Sequence, residues 1–474
     1  MPTLEQPAVE KLREYLRDLK PAARALLMGE LERTLLRGDD LAGAEVILAE
    51  LRRELRDGVS DAERVGEAAR RFFKPLEPFL VDDAPNHKHR GRIARRTLEP
   101  LWSWVSTSVM EDDAQAYTTG VEAALLGGKT EELDLLVRAF QDRAVQAMQK
   151  ALAKMARDEK ERRRLAGQLG TTRALEDVQA LISILHSRDA LAQLASHMPP
   201  HIKSLSHGAL ESTKTLMDAT LTSRSDMFVY ALILVMSRLS APWQLIRLAI
   251  RSAGTDVASR IADTPYALAV TIVMTEIERL ARELTTDLKS GKDVAVAALL
   301  KNVHDAMRGV RSELNLSGDT PWARQLAHLR AEVSDLLTSE INLIPGRVRR
   351  LVRPRPMKDI TPGSVLDEDD VKETEALLGF ASVCRTYAGE LAINEVTQRV
   401  FHDLHQMLDT GTRSLIDSLR SSGDAEKPFR QSQADAAVRF CAKVFGDDYA
   451  ATLHKAADVA GHTVPRAVKA QGHG

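Results

Sequence analysis

Cysteine is almost missing from this chain. Its 474 residues include two, Cys384 and Cys441, far too few for the disulfide framework of a small secreted fold. Both stand in apolar contexts, Ala-Ser-Val-Cys and Arg-Phe-Cys-Ala, which predicts inert buried thiols. Aromatics are scarce at 4%, so the 44% apolar content rests on Leu, Ala, Val and Ile, a composition that favours helix interiors. Neither sign of charge dominates, with 65 basic against 67 acidic residues. Nucleic-acid binders concentrate basic charge over a whole domain, so nucleic acid is not an expected partner. No hydrophobic run is long. The most apolar stretch, Phe228 to Met236, is followed by Arg238, whereas a transmembrane helix needs about 20 apolar residues. The first residues, Met-Pro-Thr-Leu-Glu-Gln-Pro, show neither the basic nor the apolar part of a secretory signal. The expected location is the cytoplasm, with the inner-membrane surface as the alternative.

Catalytic signatures are missing as well. Gly-x-Ser-x-Gly, Cys-x-x-Cys and His-Glu-x-x-His do not occur. None of the 13 histidines has Glu three residues before it, the spacing that puts both ligands of a di-iron bundle on one helix face. Gly128-Lys129-Thr130 resembles the end of a phosphate-binding loop, but the position that must be glycine is Ala123. A helix-ending Gly-Gly followed by a Thr cap explains it better. His402 and His405 share a helix face with Asp403 beside them, without a second ligand pair nearby, and read as solvated or capping residues. No catalytic residue, metal or cofactor is expected.

What is present is helix signal from end to end. Thr3 to Gln6 and Ser60 to Glu63 fit capping boxes. Thr264-Pro265 and Thr320-Pro321 place a capping hydroxyl before a proline at the first helical position. From Trp322 the apolar residues Leu326, Leu329, Val333 and Leu336 form one stripe. A helix of about nine turns is predicted from Thr130 to Arg164, with Leu133, Phe140, Ala144 and Met148 on its apolar face. Met227 to Val235 is rich in β-formers but lacks alternation. It reads as a buried helix packed on Tyr266 to Leu280. The expected fold is all-α: an array of stacked helical hairpins and bundles.

Five regions are expected. Residues 1–168 form a hairpin-rich front that includes the long helix, and 169–344 an apolar helical core. Residues 345–366, with Pro345, Pro354, Pro356 and Pro362, form a Pro/Arg-rich linker. Residues 367–460 form a C-terminal helical region, and 461–474 a tail.

Two surfaces are candidates for contact. Arg347, Arg349, Arg350, Arg353, Arg355 and Lys358 make the most distinctive local run. An anionic membrane attracts such a cluster at about 1 kcal/mol per cation, and the interleaved Val348, Leu351 and Val352 would insert shallowly. The bland alternative is a solvated linker paired with the acidic run that follows. Phe72, Phe73, Phe79, Trp102 and Trp104 gather much of the aromatic content, either as a local core or as partner-binding anchors. The leading expectation is a non-enzymatic scaffold or adaptor that binds other proteins. The alternatives are a peripheral membrane protein using residues 347–358 and an enzyme with an unfamiliar helical site.

Overall fold

The structure, a computed structural model, describes residues 61–82, 88–126, 129–290, 293–317, 319–356, 359–361, 364 and 366–462, with isolated positions between 15 and 51. The described residues form seventeen α-helices and one short parallel pair, Leu80–Val81 (β1) beside Ile93–Ala94 (β2). The all-α expectation holds. The capping boxes at Thr3 and Ser60, the turn at Gly127-Gly128, Lys358 and the tail beyond His462 lie outside the described residues. So does most of the front hairpin region, from which Leu16, Leu31, Ala44, Leu48 and Leu51 form a buried cluster. The chain divides into two compact units, 1–275 and 276–474, which differs from the expected boundaries at 168 and 344.

The first unit begins its described course with α1 (Asp61–Phe73), a 3₁₀ turn (Lys74–Phe79) and the β1–β2 pair. Then come α2 (Leu98–Trp104), a five-residue π-turn (Val105–Val109), α3 (Glu111–Leu126) and α4 (Thr130–Met155). The core here is aromatic. Tyr117 stacks on Phe140 at 4.2 Å, and Phe72 and Trp102 close the cluster at 5.4 to 6.1 Å. Such pairs add about 0.5–1.5 kcal/mol each beyond their buried area. Polar tips find backbone partners: Tyr117 Oη donates to the Ala68 carbonyl and Gln141 Nε2 to that of Phe72. Trp102 Nε1 is buried without a hydrogen-bond partner among the described residues, a cost of about 1–3 kcal/mol that the ring packing offsets.

The predicted nine-turn helix is two helices. α4 ends at Met155, and Asp158 starts α5 (Glu159–Leu169) by accepting from the Lys160 and Glu161 amides. An aspartate cap satisfies amides that would otherwise lack partners, so the break forms where the apolar periodicity alone would have continued.

Next come α6 (Ala174–Ser196), α7 (His207–Ser223) and α8 (Phe228–Arg238). Nine consecutive residues of α8, Phe228 to Met236, are buried, so this helix is enclosed on all sides. Its main neighbours are α6, α7 and the 3₁₀ turns Lys74–Phe79 and Pro242–Leu245. Of the expected packing on Tyr266 to Leu280, Phe228 makes the contact with Tyr266, edge-on at 5.2 Å, whereas the helix from Ala267 is not among the main neighbours. Gly91 rests against Val229 and Ile233 with a positive φ of 76°; a side chain there would be strained and would collide. Close by, Lys88 Nζ pairs with Asp177 of α6 at 2.5 Å, both buried. α9 (Ile246–Ala253) and α10 (Ala258–Ala262) lead to α11 (Ala267–Ser290). Thr264 does not cap α11. Its hydroxyl donates back to the Ile261 carbonyl, and the helix starts after a turn at Pro265-Tyr266.

The second unit contains α12 (Asp293–Glu313), α13 (Pro321–Val352), α14 (Glu368–Tyr387), α15 (Asn394–Arg420), α16 (Lys427–Phe445) and α17 (Asp447–His462). α13, α15, α16 and α14 follow one another around a four-helix bundle, with α12 against α14 and α17 against α15 and α16. In a solenoid each hairpin would touch only the next. Thr320 caps α13 as expected, accepting from the Ala323 amide, and Asp367 caps α14. Arg330 and Ser334 of α13 donate to the carbonyls of Gly389, Glu390 and Ala392, pinning the α14–α15 turn. Gly411 of α15 lies against Val352, leaving no room for a Cβ.

The expected linker is helical over its first eight residues: α13 runs through Pro345 to Val352. A proline inside a helix costs about 3 kcal/mol. Ile344, Val348, Leu351 and Val352 are buried, and each buried side chain of this kind returns about 1.5–3 kcal/mol. Packing therefore outweighs the breaker. Beyond Val352, Gln433 Nε2 donates to the Leu351 and Arg353 carbonyls and holds the chain on α16.

Candidate functional site

The basic run is largely occupied. Arg347 pairs with Glu373 at 3.3 Å and Arg350 with Asp370 at 2.9 Å, both on α14. Arg355 lies over the Phe429 ring at 4.9 Å. Arg349 and Arg353 remain exposed, without an ion-pair partner among the described residues. The apolar residues assigned to membrane insertion, Val348, Leu351 and Val352, are 0%, 5% and 2% exposed and belong to the bundle core. Among the described residues no helix is long and apolar enough to cross a membrane.

The aromatic anchors are also inside. Phe72, Phe73, Phe79, Trp102 and Trp104 are each 5% exposed or less. They do not form a partner surface. Phe72, Phe73 and Trp102 pack together with Phe140, while Phe79 lies edge-on to Tyr230 of α8 at 5.5 Å; a large ring releases most free energy when fully withdrawn from water.

Open relief follows the outer face of α15. At one end a cleft of about 220 Å³ is lined by Arg385, Gln398, Phe401, His402 and His405. Further along, a groove of about 560 Å³ is lined by Asp409, Thr410, Arg413, Ser414, Asp417, Ser418 and Ser421. Positions 398, 402, 405 and 409 share one helix face, and 413, 417 and 421, each four residues further on, wind progressively round α15 from it. Packing beneath fixes this row. Tyr449 Oη of α17 donates to Asp409 Oδ1 at 2.5 Å, and Arg413 Nη2 donates to the same carboxylate at 2.8 Å. The hydrogen bond to Asp409 raises the Tyr449 hydroxyl above its ordinary pKa, keeping it a donor. His405 lies against the Phe445 ring at 4.5 Å, and Arg385 lies over Phe401 at 4.7 Å.

No family model, curated protein or solved structure matches the chain.

The chemistry of the row must therefore be read from its own residues. Among the described residues no group of three His, Cys, Asp or Glu side chains could hold a metal ion. His402 and His405 lie on one face, as the sequence suggested, but Asp403 is outside the set that lines the cleft. Both cysteines are buried as expected, and burial pushes their thiols up. Cys441 Sγ sits 3.4 Å from the Thr412 hydroxyl beneath the groove. Lys129, the lysine of the loop-like motif, pairs with Glu132 at 2.9 Å. Arg385, Arg413 and Tyr449 escaped the sequence reading. Arg413 shares the period of the two histidines and could have been found from it, whereas Arg385 and Tyr449 reach the row from other helices.

Proposed function

We propose that this chain is a non-enzymatic helical scaffold or adaptor of the bacterial cytoplasm that binds another protein along the outer face of α15. The observation that carries the reading is that the cleft at Arg385 and the groove at Asp409–Ser421 follow one another along α15. From position 398 to 421 this winding surface extends about 35 Å along α15 at 1.5 Å per residue, the reach of a partner helix or extended segment. Its lining mixes Arg, Asp, Ser, Thr and His, the polar composition of non-obligate interfaces. The rigid four-helix bundle beneath would present it with little ordering cost.

The test is crosslinked affinity capture with the full chain and with a Ser414→Arg/Ser421→Arg variant. Both serines are exposed, so the variant should keep the wild-type circular dichroism. A specific protein recovered by the wild type should fall about tenfold in the variant, roughly 1.4 kcal/mol of lost contact. Equal recovery by both, or no specific protein with either, would end the proposal.

A further inference from the structure

We propose that the cleft at Arg385 is an oxoanion site that takes a phosphomonoester group. This stands whether or not the chain recruits another protein. Arg385 is exposed in the last turn of α14, and its guanidinium lies over the Phe401 ring at 4.7 Å. Stacking on an aromatic face positions the planar fork and leaves its N–H edges outward. Most arginines nearby are spoken for: Arg311 by Glu390, Arg347 by Glu373, Arg350 by Asp370 and Arg439 by Glu375. Arg385 has no ion-pair partner among the described residues and is one of the residues that line the cleft.

The remaining wall is rich in donors too. Gln398, His402 and His405 follow one another at helical spacing, and the contact with Phe445 sets the His405 ring. The guanidinium supplies five N–H donors, the carboxamide two and each imidazole one or two, against few acceptors. No carboxylate lines the cleft. Donors in excess, no negative charge and an apolar floor at Phe401 select an anion. At about 220 Å³ the space falls below the roughly 300–1,000 Å³ of pockets that enclose whole small molecules, so it fits one group. A carboxylate is satisfied by the guanidinium fork alone. The three terminal oxygens of a phosphomonoester can use the fork and still accept from an imidazole on the opposite wall.

Calorimetric titration of the full chain in phosphate-free buffer tests this, with three probes: inorganic phosphate, a phosphoserine peptide and its unphosphorylated twin. Phosphate and phosphopeptide should bind and the plain peptide should not. Tenfold tighter binding of the phosphopeptide would mark a phosphate displayed on a protein; equal affinity would mark a small phosphorylated compound. Either outcome supports the site. Arg385→Gln should weaken binding at least about tenfold, and Arg385→Lys, which keeps the charge without the fork, by less. His402→Asn, a change at an exposed position, should weaken it severalfold even if Arg385 variants fold poorly. Arg349→Gln, an exposed arginine outside the cleft, should change nothing. The proposal fails if no phosphate binds at about 10 mM, if the plain peptide binds equally, or if folded Arg385→Gln binds like the wild type.

Discussion

At the scale of the residue, the contact between Arg439 and Glu375 shows how one ion pair acquires a pH dependence. Arg439 reaches both carboxylate oxygens, at 2.8 and 2.6 Å, and a third contact to Glu368 fixes its fork. That hydrogen bonding holds the Glu375 carboxyl below the ordinary glutamate range in the folded state. A depressed folded pKa gives stability that is present above the unfolded value and is lost as pH falls through the folded one. The Arg439 side chain is 40% exposed, so solvent screening limits the pair to about 1 kcal/mol or less. We therefore expect Glu375→Gln to be destabilised by up to about that amount at pH 7. The difference from wild type should shrink once the pH drops below about 4.3. Urea denaturation at pH 7 and at acidic pH measures both, and a gap that widened in acid would contradict the sign. The same scale shows the limits of reading side chains from sequence. Phe72 and Trp102 announced a cluster, but whether it faced inward was invisible until α1, α2, α3 and α4 were seen to close over it.

At the scale of the element, local rules and packing compete, and α13 is where packing wins. Its start and most of its stripe were legible: Thr320-Pro321 opens it, and Leu326, Leu329 and Val333 are buried as their spacing required, while Leu337 rather than the expected Leu336 enters the core. Its end was not legible, because Pro345 is a helix breaker locally and the bundle overrides it. If Pro345 sits in a packed helix, Pro345→Ala restores a donor and a better helix former. It should then raise stability by about 1–3 kcal/mol, seen as a higher melting temperature. A free linker would give no change. The reverse case is α4, where an uninterrupted apolar period suggested one long helix. Asp158 divides it because capping an amide outweighs continuing a stripe.

For the molecule as a whole, the prediction concerns cooperativity. Two compact units, each with its own buried core, are expected to unfold in more than one step, since a single two-state transition is the habit of single domains under about 150 residues. Differential scanning calorimetry should give a calorimetric enthalpy larger than the van't Hoff enthalpy, and a ratio of one would show the units melting together. Composition could not foretell the division at 275, because it falls inside the continuous helix α11. No proline or glycine marks the boundary, and the switch from the uncharged 267–275 to Glu276, Glu278 and Arg279 is what a helix passing from core to solvent also shows.

Local chemistry determined the helical class, the Thr320 cap, the burial of both cysteines and the buried character of Phe228 to Met236. Period, propensity and capping act within a few residues and are written into consecutive positions. Tertiary structure alone decided that the aromatics are core, that the basic run is tied to α14, and that Pro345 lies within a helix. It also brought Arg385 to the histidines of α15. Each of these depends on which surfaces meet across long stretches of chain, and burial, which sets their energy, is a property of the assembled fold.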